Sequence, residues 1–408
     1  MNACLMHKHT PVAAVTIDDR TGRLTRCGTV FAEEHLPIGV TVRHGHVDRP
    51  ALSRWWEDRS LPSDRAGVAE SLSALGVTTV GQLRLKSFAL SMSDCYWLKP
   101  DDTAVMWDEV NLYEHGFSEE VGDVLLGWRH TANELSSPDS TTDGFLRKKW
   151  SCVEGQPCLL KAGSFRYYQQ PFNEAAAAAV LQALGVAHTP YTVQWHHGEP
   201  FSVCPTFSSP SCEMVPAIQI YYHAPKPNNL SVYQHYAACC RQLGIRHIVP
   251  ALDEMLVADF LIANEDRHFG NFGMLRDPDT LQWLRPIPLF DNGTSFGYDL
   301  PTPFLRAGRS VPCRPFKAQH TDQLRLVSDY RFIPFDRLYA VEETLRDIFA
   351  RSGTLLEADR QAALVEAYHY RVDYLRHIAH AHPSLHDDPT QDTTDRSPTQ
   401  YDVPPGTR

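Results

Sequence analysis

The run Leu261-Ile262-Ala263-Asn264-Glu265-Asp266-Arg267-His268-Phe269-Gly270-Asn271-Phe272-Gly273 constrains this chain more than any other stretch. Met255, Leu256, Phe260 and Leu261 are spaced to bury one face of a helix, which must stop where Asn264, Glu265 and Asp266 replace the apolar residues. Phe272 to Leu275, the turn Asp277-Pro278-Asp279 and the apolar run Leu281 to Phe290 then read as two strands. Helix, polar loop and hairpin in that order return Asp291 beside the loop. An Asp, four residues and an Asn is also the spacing of a phosphotransfer loop. Asp266 is placed to accept the proton of an attacking hydroxyl, and Asn271 with Asp291 to hold a magnesium ion against the phosphates of ATP. Singly, these residues fit equally a helix-terminal acid and an Asp291-Asn292-Gly293 turn; their order carries the reading.

A chain of 408 residues has room for two or three packed units. Its net charge of −11 and pI near 6.0 leave no basic stripe to neutralise a phosphate backbone, so no direct nucleic-acid partner is expected. No apolar run approaches the roughly 20 residues of a spanning helix, which implies a cytoplasmic protein without a membrane partner. The 10 cysteines include no C-x-x-C pair, and free, mostly buried thiols follow. His196, His197, His377, His380 and His382 lack the cysteine or H-E-x-x-H company of a metal site and read as surface or loop histidines.

Along the chain, Val12 to Ile17 and Leu24 to Phe31 form an expected hairpin, followed by helices over Ala51 to Glu57, Ala66 to Leu75 and Thr79 to Lys86. Phe88 to Pro100 reads as a buried aromatic patch. Residues Glu134 to Thr142, rich in Ser, Thr, Pro and Asp, read as a linker. Ser140, Thr141, Thr142 and Gly144 then form a candidate small-residue loop for ATP phosphates, equally readable as a hairpin tip. Lys161 ends an apolar strand, where an ammonium on a rigid support can pair with phosphates. Glu174 opens an Ala-rich helix closed by Gly185, with Asn173 as N-cap, and is placed to fix Lys161; an acid in a first turn also simply suits the helix dipole. Tyr191 to Trp195 and Phe201 to Phe207 are strands, and main-chain groups of Glu213, Met214 and Val215 either meet an adenine edge or merely connect two lobes. Beyond them Ser231 to Gly244, Ala251 to Ala263, Phe335 to Ser352 and Ala358 to His380 carry helical periodicity. The composition of Pro383 to Arg408 predicts a disordered acidic tail.

With Asn264-Glu265-Asp266-Arg267-His268-Phe269-Gly270-Asn271 in view, the chain resembles the HipA-like kinases, whose catalytic loop reads N-x-D-R-H-x-x-N. The resemblance covers about Ser140 to His380. It implies an α+β, bilobal protein-kinase-like fold with a sheet-rich small lobe over 131–215 and a mainly helical large lobe over 216–382. A small α/β segment over 1–130 would precede them and the tail over 383–408 follow. It also implies Asp266 as catalytic base, Asn271 and Asp291 as magnesium ligands, Lys161 as the ATP lysine and His268 among the ATP contacts. Its members include toxin kinases that phosphorylate Ser or Thr of proteins, or of themselves, and are paired with small antitoxins. Two departures stand out: the family's G-x-x-P-K loop is here Ser140-Thr141-Thr142-Asp143-Gly144, and the N-terminal segment has no counterpart. Two other functions fit the same residues. One is a small-molecule kinase of aminoglycoside or choline type, against which Asn264 counts, since those loops more often begin with His. The other is an ATP-binding regulatory module without turnover.

Overall fold

In the computed structural model, which describes residues 1–65, 67–164, 166–306, 310–381 and 383, the alternating N-terminal residues form β1 (Asn2–His7), β2 (Thr10–Ile17) and β3 (Leu24–Val30). The expected hairpin is β2–β3, and β1 adds a strand beside it. A short ladder, β4 (Val42–Arg43) with β5 (His46–Val47), leads into α1 (Arg49–Asp58), capped by Asp48, whose carboxylate accepts from Ala51 N at 3.0 Å. The face of α1 carrying Leu52, Trp55 and Trp56 is buried against Val12, Val15 and Ile17 of the sheet. Next come α2 (Val68–Ala74) and α3 (Val80–Lys86), the latter capped by Thr79. Here the chain crosses itself closely: a Cβ on Gly81 would lie 2.0 Å from the carbonyl oxygen of Thr21. The side chains of Trp56 and Arg84 both donate to the carbonyl of Gly22 at this crossing, at 2.8 and 2.9 Å. Strand β6 (Tyr96–Pro100) completes an antiparallel sheet of order β3-β2-β1-β6 and buries Tyr96 and Trp97, the expected aromatic patch.

After α4 (Trp107–Val110) and α5 (Glu120–Leu125), the polar stretch read as a linker is instead packed. Residues Pro138–Thr141 make a buried 3₁₀ turn, because short hydroxyl side chains satisfy local backbone and tie it to its surroundings: Ser140 donates to Ser137 O at 3.2 Å and pairs with the Ser87 hydroxyl, and Thr141 bonds Pro138 O at 3.0 Å and Leu90 O at 2.9 Å. A second antiparallel sheet follows from β7 (Lys148–Val153) and β8 (Gln156–Ala162), then α6 (Gln170–Leu184), then β9 (Thr192–His196) and β10 (Glu199–Pro205), in order β7-β8-β10-β9. Helix α6 begins four residues before Glu174, since Pro171 is tolerated in a first helical turn. Asn173 is therefore inside the helix rather than at its cap, and its amide donates to Gly293 O and Ser295 O at 2.9 and 2.7 Å.

The remaining chain is mostly helical: α7 (Ala217–Tyr221), α8 (Val232–Gln242), α9 (Ile248–Ile262), α10 (Thr302–Arg306), α11 (His320–Leu324), α12 (Phe335–Ala350) and α13 (Ala358–Ala381). A three-stranded sheet accompanies it, with β11 (Glu213–Pro216), β12 (Gly273–Arg276) and β13 (Trp283–Pro286) in sequence order. A division at 215/216 thus falls inside β11, which is bonded to β12. One core joins Phe172, Val180 and Leu181 of α6 to Leu256 and Leu261 of α9, Leu338 and Leu345 of α12 and Leu364 of α13. Hence α6, which faces the second sheet, is held by the helical part. The architecture is mixed α and β with several small sheets. Among the described residues no helix is long and apolar enough to cross a membrane, no cysteine is bridged, and no group of three or more His, Cys, Asp or Glu is gathered to hold a metal. The tail expected to be disordered lies, apart from Pro383, outside the described residues.

Candidate active site

Helix α9 is apolar nearly all round, so it is buried, and it ends at Ala263 in a left-handed conformation (φ 53°). The polar loop then folds on buried partners. Asn264 donates to Asp259 at 2.9 Å and accepts from Asp266 N at 3.1 Å, fixing the turn into Asp266. Arg267 is fully buried with Asp259, and its guanidinium also reaches Asn271 O at 2.9 Å, Phe290 O at 2.7 Å and Asn292 Oδ1 at 2.5 Å. One rigid fork thereby clamps the two ends of the loop to the segment that carries Asp291. The hairpin β12–β13 supplies the return.

At that return Asp291 meets Lys161, which also donates to Glu174 Oε1 at 2.8 Å. All three come from separate elements: β8, α6 and the segment after β13. Burial disfavours the Lys161 ammonium, but Asp291 and Glu174 outweigh it and hold its pKa above that of an ordinary lysine. The two carboxylates respond differently. Burial lifts Glu174 despite Lys161, whereas at Asp291 the fields of Lys161 and Lys148 overcome burial and hold the carboxyl well below its usual range. Glu174 is further held by Asn292 N–H at 2.8 Å, and Tyr191 Oη accepts from Asp291 N at 3.2 Å.

A cavity of about 900 Å³ is lined by Lys148, Lys161, Tyr191, His268, Asn271 and Asp291, while Glu174, bonded to Lys161, is buried outside its lining. Asp266 stands just outside that lining, partly exposed, with Oδ1 3.1 Å from Arg314 Nη1. His268 accepts from Gly270 N–H at 3.0 Å through Nδ1. The small-residue loop splits: Thr141, Thr142 and Gly144 reach the cavity, while Ser140 is fully buried away from it. The region of Glu213 to Val215 also differs from an adenine-facing edge. Met214 lines the cavity, but its N–H donates to Ser93 O at 2.7 Å, and Val215 pairs with Met274 in the sheet. The Glu213 carboxylate is fully buried between Arg276, at 2.6 Å, and His7, at 2.9 Å. Its pKa is held at about 2, since His7 and Arg276 outweigh the burial that would raise it.

Three features escape a reading of the sequence. Lys148 lies directly opposite Lys161 in the β7–β8 ladder, so both ammonium groups face the cavity. Burial and then the neighbouring Lys161 push Lys148 down to about 7. The strand alternation of Lys148-Lys149 was a usable signal, for Lys149 points the other way to Glu119 and Asp123. Thr206, Phe207 and Ser208, directly after β10, form another part of the wall. The N-terminal part completes it with Trp55, Asp58 and Ser93, contacts no local pattern announces.

No protein-family model and no curated protein matches the chain. Among solved structures it is distantly similar to the Helicobacter pylori proinflammatory kinase CtkA, with 15% identity and a TM-score of 0.46 over 59% of this chain and 93% of that one. It is likewise distantly similar to a Shewanella oneidensis MR-1 structure of the HipA, HipB toxin–antitoxin system with its operator DNA, with 11% identity and a TM-score of 0.47 over 92% of this chain and 97% of that one.

Proposed function

We propose that this protein is an ATP- and magnesium-dependent phosphotransferase of HipA-like kinase type, acting on Ser or Thr hydroxyls of a protein, its own chain included. The observation that carries the reading is the gathering of Lys161, Asn271 and Asp291, from three separate segments, on one cavity, with Glu174 bonded to Lys161 and Asp266 at the cavity's edge. In this reading Lys161, fixed by Glu174, pairs with ATP phosphates, and Lys148 adds a second cation. Asn271 spends an amide N–H on Asp266 O at 3.1 Å and keeps its side-chain oxygen as a ligand; with the Asp291 carboxylate this makes a hard oxygen donor set that suits magnesium. Magnesium, when bound, neutralises phosphate charge as it develops. The acceptor hydroxyl gives its proton to Asp266 as its oxygen bonds the γ-phosphorus and ADP leaves. Thr142 and Gly144 and the connector Thr206 to Ser208 would border the nucleotide, with Met214 contributing side-chain contact. A small antitoxin is the partner this reading implies.

The test is incubation of pure protein with γ-labelled ATP and magnesium. Labelled protein is expected, and Asp266→Asn should reduce labelling by at least about 10²-fold, the typical contribution of a general base. Label appearing on small alcohols with none on protein would refute the protein-kinase reading. Stabilisation by ATP and magnesium without any transfer would show a binding module instead.

A further inference from the structure

We propose that Arg314 is a positioning residue for Asp266, delivered to the phosphotransfer site from outside the catalytic loop; the inference rests on the function proposed above. Arg314 Nη1 lies 3.1 Å from Asp266 Oδ1, with the two side chains 62% and 42% exposed. An ion pair this exposed adds little to stability. Nor does the fold need it to hold the Arg314 segment in place. Gln323, itself buried, donates to Arg314 O at 2.8 Å and accepts from Phe316 N and Lys317 N at 3.1 and 3.2 Å. Phe316 then packs on Phe269 and Phe272, ring centroids 5.8 and 6.3 Å away, so the segment is anchored to the same loop that carries Asp266. The backbone is fixed while the guanidinium remains at the surface, an arrangement suited to chemistry rather than to packing.

The loop's own guanidinium and the cavity lysine Lys161 are committed elsewhere. Arg267 is buried on Asp259, Asn271, Phe290 and Asn292, and Lys161 is bound to Glu174 and Asp291. Two residues beyond Asp266 stands His268, whose Nδ1 is occupied by Gly270 N–H. Arg314 supplies the missing fixed charge. By holding Oδ1 it orients the carboxylate so that Oδ2 faces the acceptor hydroxyl. In the step itself the hydroxyl proton passes to Oδ2, the acceptor oxygen bonds the γ-phosphorus, and the bond from that phosphorus to its bridging oxygen breaks to release ADP. The guanidinium is unchanged throughout, and its charge offsets the negative charge gathered around Asp266 and the transferring group.

Steady-state transfer by the full chain, with Asp266→Asn as the zero, tests this. Arg314→Ala should lower kcat by about 10²-fold, the scale of a misplaced catalytic group, with KM for ATP within about twofold of wild type. Added guanidinium should restore part of the lost rate, and Arg314→Lys should fall between the two. An Arg314→Ala enzyme with unchanged or raised kcat overturns the proposal. So does a loss confined to KM, or a loss that accompanies a large drop in melting temperature and resists guanidinium. A wild-type chain that transfers nothing refutes the parent function and this inference together, whereas an active wild type with an equally active Arg314→Ala refutes this inference alone.

Discussion

Replacing Arg267 by Met should strain this fold more than any exposed substitution at the site. Arg267 and Asp259 are both fully buried, and removing one partner of such a pair leaves a charge without compensation, a loss of about 3–5 kcal/mol. Asn271 O, Phe290 O and Asn292 Oδ1 would lose a donor at the same time, and each buried acceptor left unsatisfied adds about 1–3 kcal/mol. Relaxation recovers some of this, so a net loss of at least about 4 kcal/mol is expected, comparable with the lower end of whole-domain stability. Arg267→Lys keeps a charge beside Asp259 but lacks the fork that spans four partners; about half the loss should remain. The double variant Asp259→Leu with Arg267→Met leaves no isolated charge and should be more stable than Arg267→Met alone. Urea unfolding followed by the emission of the chain's 8 tryptophans measures all of these. A loss below about 1 kcal/mol for Arg267→Met, or a double variant no better than the single, would refute the clamp.

Two further perturbations test how the N-terminal part is attached and built. Glu213, whose folded pKa of about 2 lies below the ordinary 4.5, contributes stability that is complete above pH 4.5 and is lost as pH falls toward 2. That contribution is on the order of 3 kcal/mol, so the stability gap between wild type and Glu213→Gln should shrink as pH falls from 4.5 to 2. A gap that widens in acid would contradict the burial of Glu213 between His7 and Arg276. Gly81→Ala should lower stability by about 1–3 kcal/mol, since its Cβ meets backbone at Thr21 rather than a side chain able to turn aside. An unchanged melting temperature would mean that the crossing of Gly22 and Gly81 is looser than described.

Much of the local structure is legible in the residue pattern. The runs Val12 to Ile17, Leu24 to Phe31, Tyr191 to Trp195 and Phe201 to Phe207 mark strands, and apolar spacing marks α9, α12 and α13, because a strand and a helix repeat their inward face at different periods. Turn chemistry at Asp277-Pro278-Asp279 foretells the hairpin that returns Asp291. The order of Lys161, Glu174, Asp266, Asn271 and Asp291 likewise names a set of residues able to act together. Less legible are polar segments whose partners are distant. Residues Ser137 to Thr142 have the composition of a linker, yet hydroxyl bonds to Ser87 and Leu90 bury them. Glu213 sits in a connector, yet its carboxylate belongs to a network with His7 and Arg276, 206 positions before it and 63 after it.

By itself the sequence determined where the N-terminal hairpin, the strands flanking α6 and the longer helices form, and which side chains carry titratable or metal-ligating oxygens, since both follow from periods and residue types within a few positions. Tertiary structure alone decided which of those groups meet. Lys148 joins Lys161 only through strand register, and Arg267 binds the loop to Asp291 only because Phe290 and Asn292 are brought to it. Arg314 reaches Asp266 only because Phe316 is anchored in the aromatic cluster. These contacts depend on packing between segments tens to hundreds of residues apart, and no local pattern encodes the distance between two side chains that only the folded core holds together.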